Sequence, residues 1–444
     1  MKKVLSVLLA LVMMLSLSVV AFADDVTEVS TYAELEAAVA AGGKIKLMAN
    51  IGEVSNSTSY NSIQVNKDIE VDLNGFTLYG AYISPSNLYT FVVNSGATMI
   101  LDDTSASQTG QIKANYSGIE TKGGTFIMNG GKIVADNEAL TVAIVNFGGS
   151  VIINDGEIVA YHMGISNEAY FAETATTEIN GGKITMSAES TVDEEEYGAC
   201  TLIAVGGKWN EGAVEVAIND GEFDSNGKVL INVSNEGTGT AAGEVTGGDF
   251  SEEPPAELVA DDADITVDGA PMGKDENGDL VEIVAPVITE QPVGGEYEVG
   301  DEVILTVGAE GIDLRYQWQG SSDGETWVDS IVKMDQLRFL LSEQDENTVH
   351  YFRCIVSNKA GSVTSDVAVI TVPASEEDPV IRPNRPSYDN EDEGHLVIPE
   401  SQKPAEDKDT GKANPATGST EFVNVAIALG TVSLAAAAAV VLKK

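Results

Sequence analysis

Disulfide chemistry has little to work with in this chain: 444 residues hold two cysteines, Cys200 and Cys354. A bridged framework needs more, so both are expected as free thiols. Basic residues are scarce, 24 against 70 acidic, and the formal charge is −46. The deficit excludes a nucleic-acid binder that works by neutralising phosphates. It also argues against charge-driven docking on anionic lipid or acidic polysaccharide. All five arginines (Arg315, Arg338, Arg353, Arg382, Arg385) fall in the last third of the chain. Histidine occurs three times, with no HxxxH or CxxC spacing for zinc; no metal and no cofactor are expected. Charged residues make up only 21% against 43% hydrophobic, so the chain is folded rather than disordered throughout. Its length accommodates two or three domains.

What is present begins at the ends. Residues 1–23 read as a signal peptide: Lys2 and Lys3, an apolar run from Val4 to Val20, and Ala21-Phe22-Ala23 before Asp24. The run is shorter than the ~20 residues that span a bilayer. Residues 414–444 have three parts: Asn414-Pro415-Ala416-Thr417-Gly418, an apolar stretch from Phe422 to Leu442, and Lys443-Lys444. The stretch is long enough to cross a membrane, with the lysines on the cytoplasmic side. This tail resembles the cell-wall sorting signal of Gram-positive surface proteins. The resemblance implies that a sortase cuts between Thr417 and Gly418 and joins Thr417 to peptidoglycan, and Asn414 makes the motif similar to the NPxTG variant. A plain single-pass anchor is the alternative.

Between the ends lies a repeat: FIMNGGKIVAD (126–136), VIINDGEIVAY (151–161), TEINGGKITMS (177–187) and VAINDGEFDSN (216–226), with DLNGFTLYG (72–80) before and EVTGGDFSE (244–252) after. The asparagines sit at 74, 129, 154, 180 and 219, and the last interval holds an acidic insertion from Glu189 to Glu196. A period near 25, rich in Gly, Val, Ile and Thr, fits one coil of a parallel β-solenoid. Stacked coils place equivalent residues about 4.8 Å apart, so Asn129, Asn154, Asn180 and Asn219 are expected to form an amide column. Lys132, Glu157, Lys183 and Glu222 form a column of alternating sign. Residues 31–43 provide a capping helix: Thr31 as N-cap, Leu35, Ala38 and Val39 on one face, Gly42 at the end. KIKLMANI is then expected as the first strand. This opening, with its NGG coils, resembles the pectate-lyase-like right-handed parallel β-helix superfamily over residues 24–285.

Residues 286–373 are expected to form a β-sandwich. Leu314, Tyr316 and Trp318 alternate with Arg315, Gln317 and Gln319, and Phe352, Cys354 and Val356 share a later face. The order of strand, buried Trp and Cys resembles the immunoglobulin-like pattern, with Val307 in place of the first Cys and Phe352 in place of the corner Tyr. SSDGETW (321–327) reads as a hairpin. Residues 374–413 lack apolar periodicity and spread five prolines among charges, which suits an extended wall-spanning linker. The fold class is therefore all-β: a β-helix followed by an Ig-like sandwich, with a signal helix before and a membrane-spanning sorting helix after.

Catalytic chemistry is sparse. The lyases of the resembled superfamily use a basic side chain, often Arg, and the β-helix region has no Arg. Asp102-Asp103 is similar to the paired acids of galacturonan hydrolases, but a turn is the better reading. His162 is expected at the surface and Cys200 in the core. Asp193 to Glu196 lacks calcium-loop spacing. Tyr79, Tyr82, Tyr89, Tyr161, Tyr170 and Trp209 are candidates for stacking on sugars. The expected function is that of a non-catalytic cell-surface protein, an adhesin or glycan- or protein-binding module attached to the wall by a sortase. A wall-anchored polysaccharide lyase or glycoside hydrolase is the alternative. Expected partners are the sortase, peptidoglycan, and a neutral glycan or a surface protein of a host or neighbouring cell, with membrane contact only through the C-terminal helix.

Overall fold

The computed structural model describes residue 22 and residues 25–374, except 54–60, 81–88, 136–140, 171–173, 190–199, 208–209 and 235–236. The signal peptide except residue 22, the linker beyond residue 374 and the sorting tail lie outside the described residues. The chain divides into two compact units after Val284, and the described residues are overwhelmingly β. Among them no helix is long and apolar enough to cross a membrane.

The first unit is built from coils of three short strands. Thr98–Asp102, Gln111–Lys113 and Ser117–Lys122 form one coil; Thr125–Met128, Lys132–Ala135 and Val142–Asn146 form the next. Each strand pairs in parallel with its equivalent in the neighbouring coil. The first two strands of each coil contribute to a 16-stranded sheet, the third to a 7-stranded sheet. One inward residue per strand stacks on its equivalents. The seven-stranded sheet contributes Ile63, Phe91, Ile119, Ile144, Ile165, Ile203 and Ile231, all buried in one core. β-branched side chains suit this because they pack stiffly on a pleated surface, and each contributes ~1.5–3 kcal/mol on burial. The next column ends in Phe223 and Phe250, whose rings stack 4.8 Å apart.

At the turn after the first strand of the coil, Asn154 donates to Asn129 (2.9 Å), Asn180 to Asn154 (3.1 Å) and Asn219 to Asn180 (2.8 Å). Asn74 lies off this column. It has a left-handed φ of 49° and donates to the Leu47 carbonyl. Asp72 and Asp102, paired on adjacent strands, lead into the column instead. The glycines that follow must turn the chain sharply. Gly182 has a φ of 82°, and a Cβ there would lie 2.8 Å from the Gly156 carbonyl oxygen, so only glycine fits. In the charge column, Lys132 meets Glu157 at 2.8 Å and Lys183 meets Glu222 at 3.3 Å. These pairs are solvent-exposed, so each contributes under about 1 kcal/mol.

A second polar column runs inside. Thr121 donates to Asn146 (2.6 Å), Asn146 to Asn167 (3.4 Å), and Asn167 to the Ala204 carbonyl (2.9 Å). Asn146 and Asn167 are fully buried, so these bonds offset the cost of removing amides from water.

The N-terminal end differs from the expectation in one respect: the first strand is Val26–Val29, not KIKLMANI. It pairs in parallel with Gly43–Leu47, and the helix Tyr32–Ala41 makes the crossover between them. A parallel pair needs such a connection, and the four residues VTEV are too few to show a period. The helix has Thr31 as N-cap in a full capping box with Glu34, buries Leu35, Ala38 and Val39, and ends at Gly42 with φ 85°.

The second unit is antiparallel apart from one short parallel pair. Trp318 is fully buried and lies directly across from Cys354 on the paired strand; its indole N–H donates to the Met334 carbonyl at 2.9 Å. Val307 is buried, and the two cysteines form no disulfide and are buried. Burial pushes the Cys354 thiol up to about 11. Residues 321–327 connect the antiparallel strands Arg315–Ser321 and Val328–Asp329. The Asp323 carboxylate takes the Thr326 and Glu325 N–H groups at 2.7 and 2.8 Å, which hold its pKa well below the usual carboxylate range.

Candidate functional site

The seven-stranded sheet presents an outer row in register: Val92, Glu120, Val145, Ser166 and Ala204. Glu120 stands out because it is a carboxylate level with two valines. It is only 2% exposed although it points away from the core, and Val92 and Val145 beside it are also buried. Burial raises its pKa; the neighbouring Lys122 ammonium opposes that shift. Lys122 forms an ion pair with Glu120 Oε2 at 3.2 Å, and that oxygen makes no hydrogen bond. Ser117, three residues earlier on the same strand, has a buried hydroxyl that likewise makes no hydrogen bond.

Two phenols stand near this carboxyl, Tyr89 and Tyr116. Tyr89 pairs across from Ser117 on the neighbouring strand. Its pKa is raised well above the usual phenol range by burial first, then by the charge of Glu120 and by Tyr116. The surroundings of Glu120 thus combine buried valines, the Tyr89 phenol, a buried carboxyl and a buried hydroxyl that makes no hydrogen bond. Such a combination fits a ligand with apolar faces and hydroxyl edges, since buried polar atoms without partners cost ~1–3 kcal/mol each until something satisfies them.

The expected aromatic cluster is dispersed. Tyr79 lies on Thr77–Tyr79, which pairs with Gln111–Lys113 in the 16-stranded sheet, whereas Tyr89 belongs to the seven-stranded one. Tyr161 is a correction: it is 5% exposed and unavailable for stacking on a sugar. His162, expected at the surface, is buried beside it. Tyr170 is exposed and sits edge-on to Phe147, ring centroids 6.2 Å apart. Tyr82, Trp209, Asp193 to Glu196 and the motif Asn414 to Gly418 lie outside the described residues.

Asp103 is the buried member of the acidic pair. Its carboxylate accepts the N–H groups of Gly75 (2.8 Å), Ser105 (3.2 Å) and Gly110 (2.6 Å), which pins a turn. Among the described residues no three His, Cys, Asp or Glu side chains converge as metal ligands.

No protein-family model matches the chain, and no curated protein matches it. Several solved structures are similar to part of it. Chimeric titin Z1Z2 functionalized with a KLER exogenous peptide from decorin is 16% identical, covering 21% of this chain and 99% of that one, with a TM-score of 0.17. Tandem Ig repeats of Dlar are 22% identical over 23% of this chain and 59% of that one, TM-score 0.18. DIP-gamma IG1+IG2 is 22% identical over 20% and 49%, TM-score 0.17.

Tyr116, Ser117, Glu120 and Lys122 were not legible as a site in the sequence. Their segment, YSGIETK, carries no motif. Only the coil register reveals that Glu120 replaces a valine.

Proposed function

We propose that this chain is an exported surface protein, joined to the cell wall through Thr417, that binds neutral glycans without turning them over. On this reading the first unit is a right-handed parallel β-helix of the pectate-lyase-like type. The second is an immunoglobulin-like module that, with the linker, holds the β-helix away from the wall. The observation that supports the binding role is the group Tyr89, Tyr116, Ser117 and Glu120, where two buried polar atoms, Ser117 Oγ and Glu120 Oε2, lack hydrogen bonds. Glycosidase chemistry sets a second carboxyl about 5–9.5 Å from the first; the residues level with Glu120 on both neighbouring strands are valines. The charge of −46 turns the preference from acidic toward neutral sugars.

A glycan array with the secreted chain tests this. Neutral oligosaccharides are expected to bind, and Tyr89→Ala and Glu120→Ala to weaken binding by roughly tenfold, one lost stacking or hydrogen-bonding contact each. Turnover of any polysaccharide at ordinary enzyme rates overturns the non-catalytic reading. Wall attachment is tested separately: mass spectrometry of muralytic fragments is expected to find a C-terminal peptide ending at Thr417 and linked to peptidoglycan. Intact 418–444 on the mature protein would remove it.

A further inference from the structure

The second unit leaves one sheet edge open. Gln336–Leu340 pairs antiparallel with Glu302–Thr306 on one side, and among the described residues no strand pairs with its other side. The ladder fixes which backbone groups are spare. The Val307 N–H donates to the Asp335 carbonyl at 2.9 Å and the Leu341 N–H to the Asp301 carbonyl at 3.0 Å. Hydrogen-bonding directions alternate along such a strand, so Asp335, Leu337, Phe339 and Leu341 turn their backbone groups toward Glu302–Thr306. Those of Gln336, Arg338 and Leu340 turn the other way. A row of unpaired N–H and C=O groups is a template for another strand.

Solitary edges are blunted by proline, bulges or rows of charge. This one has no proline, its register is unbroken, and its one charge is Arg338. Val328, Ile331, Met334 and Leu340 are each more than half exposed. Ile304, on the partner strand and on the same outer face as Leu340, is exposed as well. Phe339 faces the core, its ring centroid 4.9 Å from that of Phe352, yet stays only half-buried. Charge narrows the occupant. Residues 286–373 hold five basic side chains against fifteen acidic, and two of the five, Lys333 and Arg338, stand just before and on this edge. A strand with acidic groups at one end of an aliphatic run complements it. The chain itself carries such a segment beyond the described residues: Glu391-Asp392-Glu393-Gly394-His395-Leu396-Val397-Ile398-Pro399. Leu396 to Ile398 is the longest aliphatic run between residues 375 and 413. Two of its three residues are β-branched, which suits a strand, and Pro399 marks its end.

We propose that residues 394–398 add a parallel strand to this edge, with Leu396 beside Arg338, Ile398 beside Leu340 and Val397 over Phe339. Direction follows from charge. In parallel, Glu391 to Glu393 lie at the Lys333 end of the edge; antiparallel, they would lie at the end that leads into Glu343 and Asp345. Reach is ample. From Ala374 to Leu396 is 22 residues, about 70 Å when extended, against a diameter of roughly 30 Å for a unit of this size. Tethering holds the strand at an effective concentration of about millimolar, whereas a second copy must bring another charge of −46 against repulsion. Docked, the strand ties the linker to the second unit and shortens the free spacer to residues 399–413. This contact is independent of glycan binding at Glu120 and of wall attachment.

Residue-resolved amide hydrogen exchange on the secreted chain is the test. The N–H groups of Arg338 and Leu340 are expected to be protected. The double variant Leu396→Pro/Val397→Pro removes two adjacent donors, one of which must face the edge. It is expected to speed exchange at Arg338 and Leu340 by roughly tenfold or more, while Val303 and Leu305 on the partner strand keep their protection. Both prolines stand in the linker, and an unchanged near-ultraviolet circular dichroism spectrum checks that the second unit stays folded. Free exchange at Arg338 and Leu340 in the wild type overturns the proposal, as does protection that survives the double variant. Protection that grows with protein concentration also overturns it, and assigns the edge to a second copy of the chain.

Discussion

Asp103→Ala is expected to be among the most damaging single changes in the first unit. The carboxylate is 1% exposed, and three backbone N–H groups on two coils depend on it. Alanine leaves all three without an acceptor in a place water cannot reach. At ~1–3 kcal/mol per buried unsatisfied group, the loss is on the order of 3–5 kcal/mol, a large part of a typical domain's stability. Hydrogen exchange across residues 69–113, together with thermal melting, is the measurement. Collapse of protection there is expected, while Asp102→Ala, at the half-exposed neighbour, has a smaller effect. A stable, fully protected Asp103→Ala protein would show that the turn does not rely on the carboxylate. It would also reopen the case for Asp103 as a chemical group.

Trp318→Ala is the second. The indole is the largest fully buried side chain described, and Phe352, Cys354 and Val356 belong to the same core cluster. Truncation removes that packing and the bond to the Met334 carbonyl, at about 3–5 kcal/mol for a buried aromatic replaced by alanine. No cross-strand disulfide offsets the loss, because Cys354 is free. Near-UV circular dichroism and hydrogen exchange over residues 303–372 are expected to report a largely unfolded second unit. A shift of under about 1 kcal/mol would mean that the cavity collapses without cost.

The sequence was most informative where one coil repeats the next. Asn129, Asn154 and Asn180 recur at steps of 25 and 26 residues, so their hydrogen-bonded column could be foreseen, as could the pairing of Lys132 with Glu157. Thr31 and Gly42 were legible because helix caps need particular side chains and backbone angles. Trp318 followed from alternation. Properties that depend on register between unlike segments were hidden. Glu120 belongs with Tyr89, and Thr121 with Asn146 and Asn167, through strands 20–30 positions apart. Polarity misled for the same reason: His162 is polar and was expected at the surface, yet the fold buries it. Tyr79 and Tyr89 are neighbours in sequence, but a corner of the coil separates them into different sheets.

The asparagine column has a consequence for protein engineering. Asn129 and Asn154 are 25 residues apart and Asn180 and Asn219 are 39 apart, yet the amide contacts are 2.9 and 2.8 Å. The fold holds the spacing between successive coils constant while the length of chain within a coil varies, since closing a longer loop costs only about 0.6 kcal/mol per doubling. A foreign peptide inserted within one coil would therefore add to the contour of that coil and leave the stack on either side in register, making the molecule a display scaffold whose cargo capacity is set by loop entropy rather than by the core.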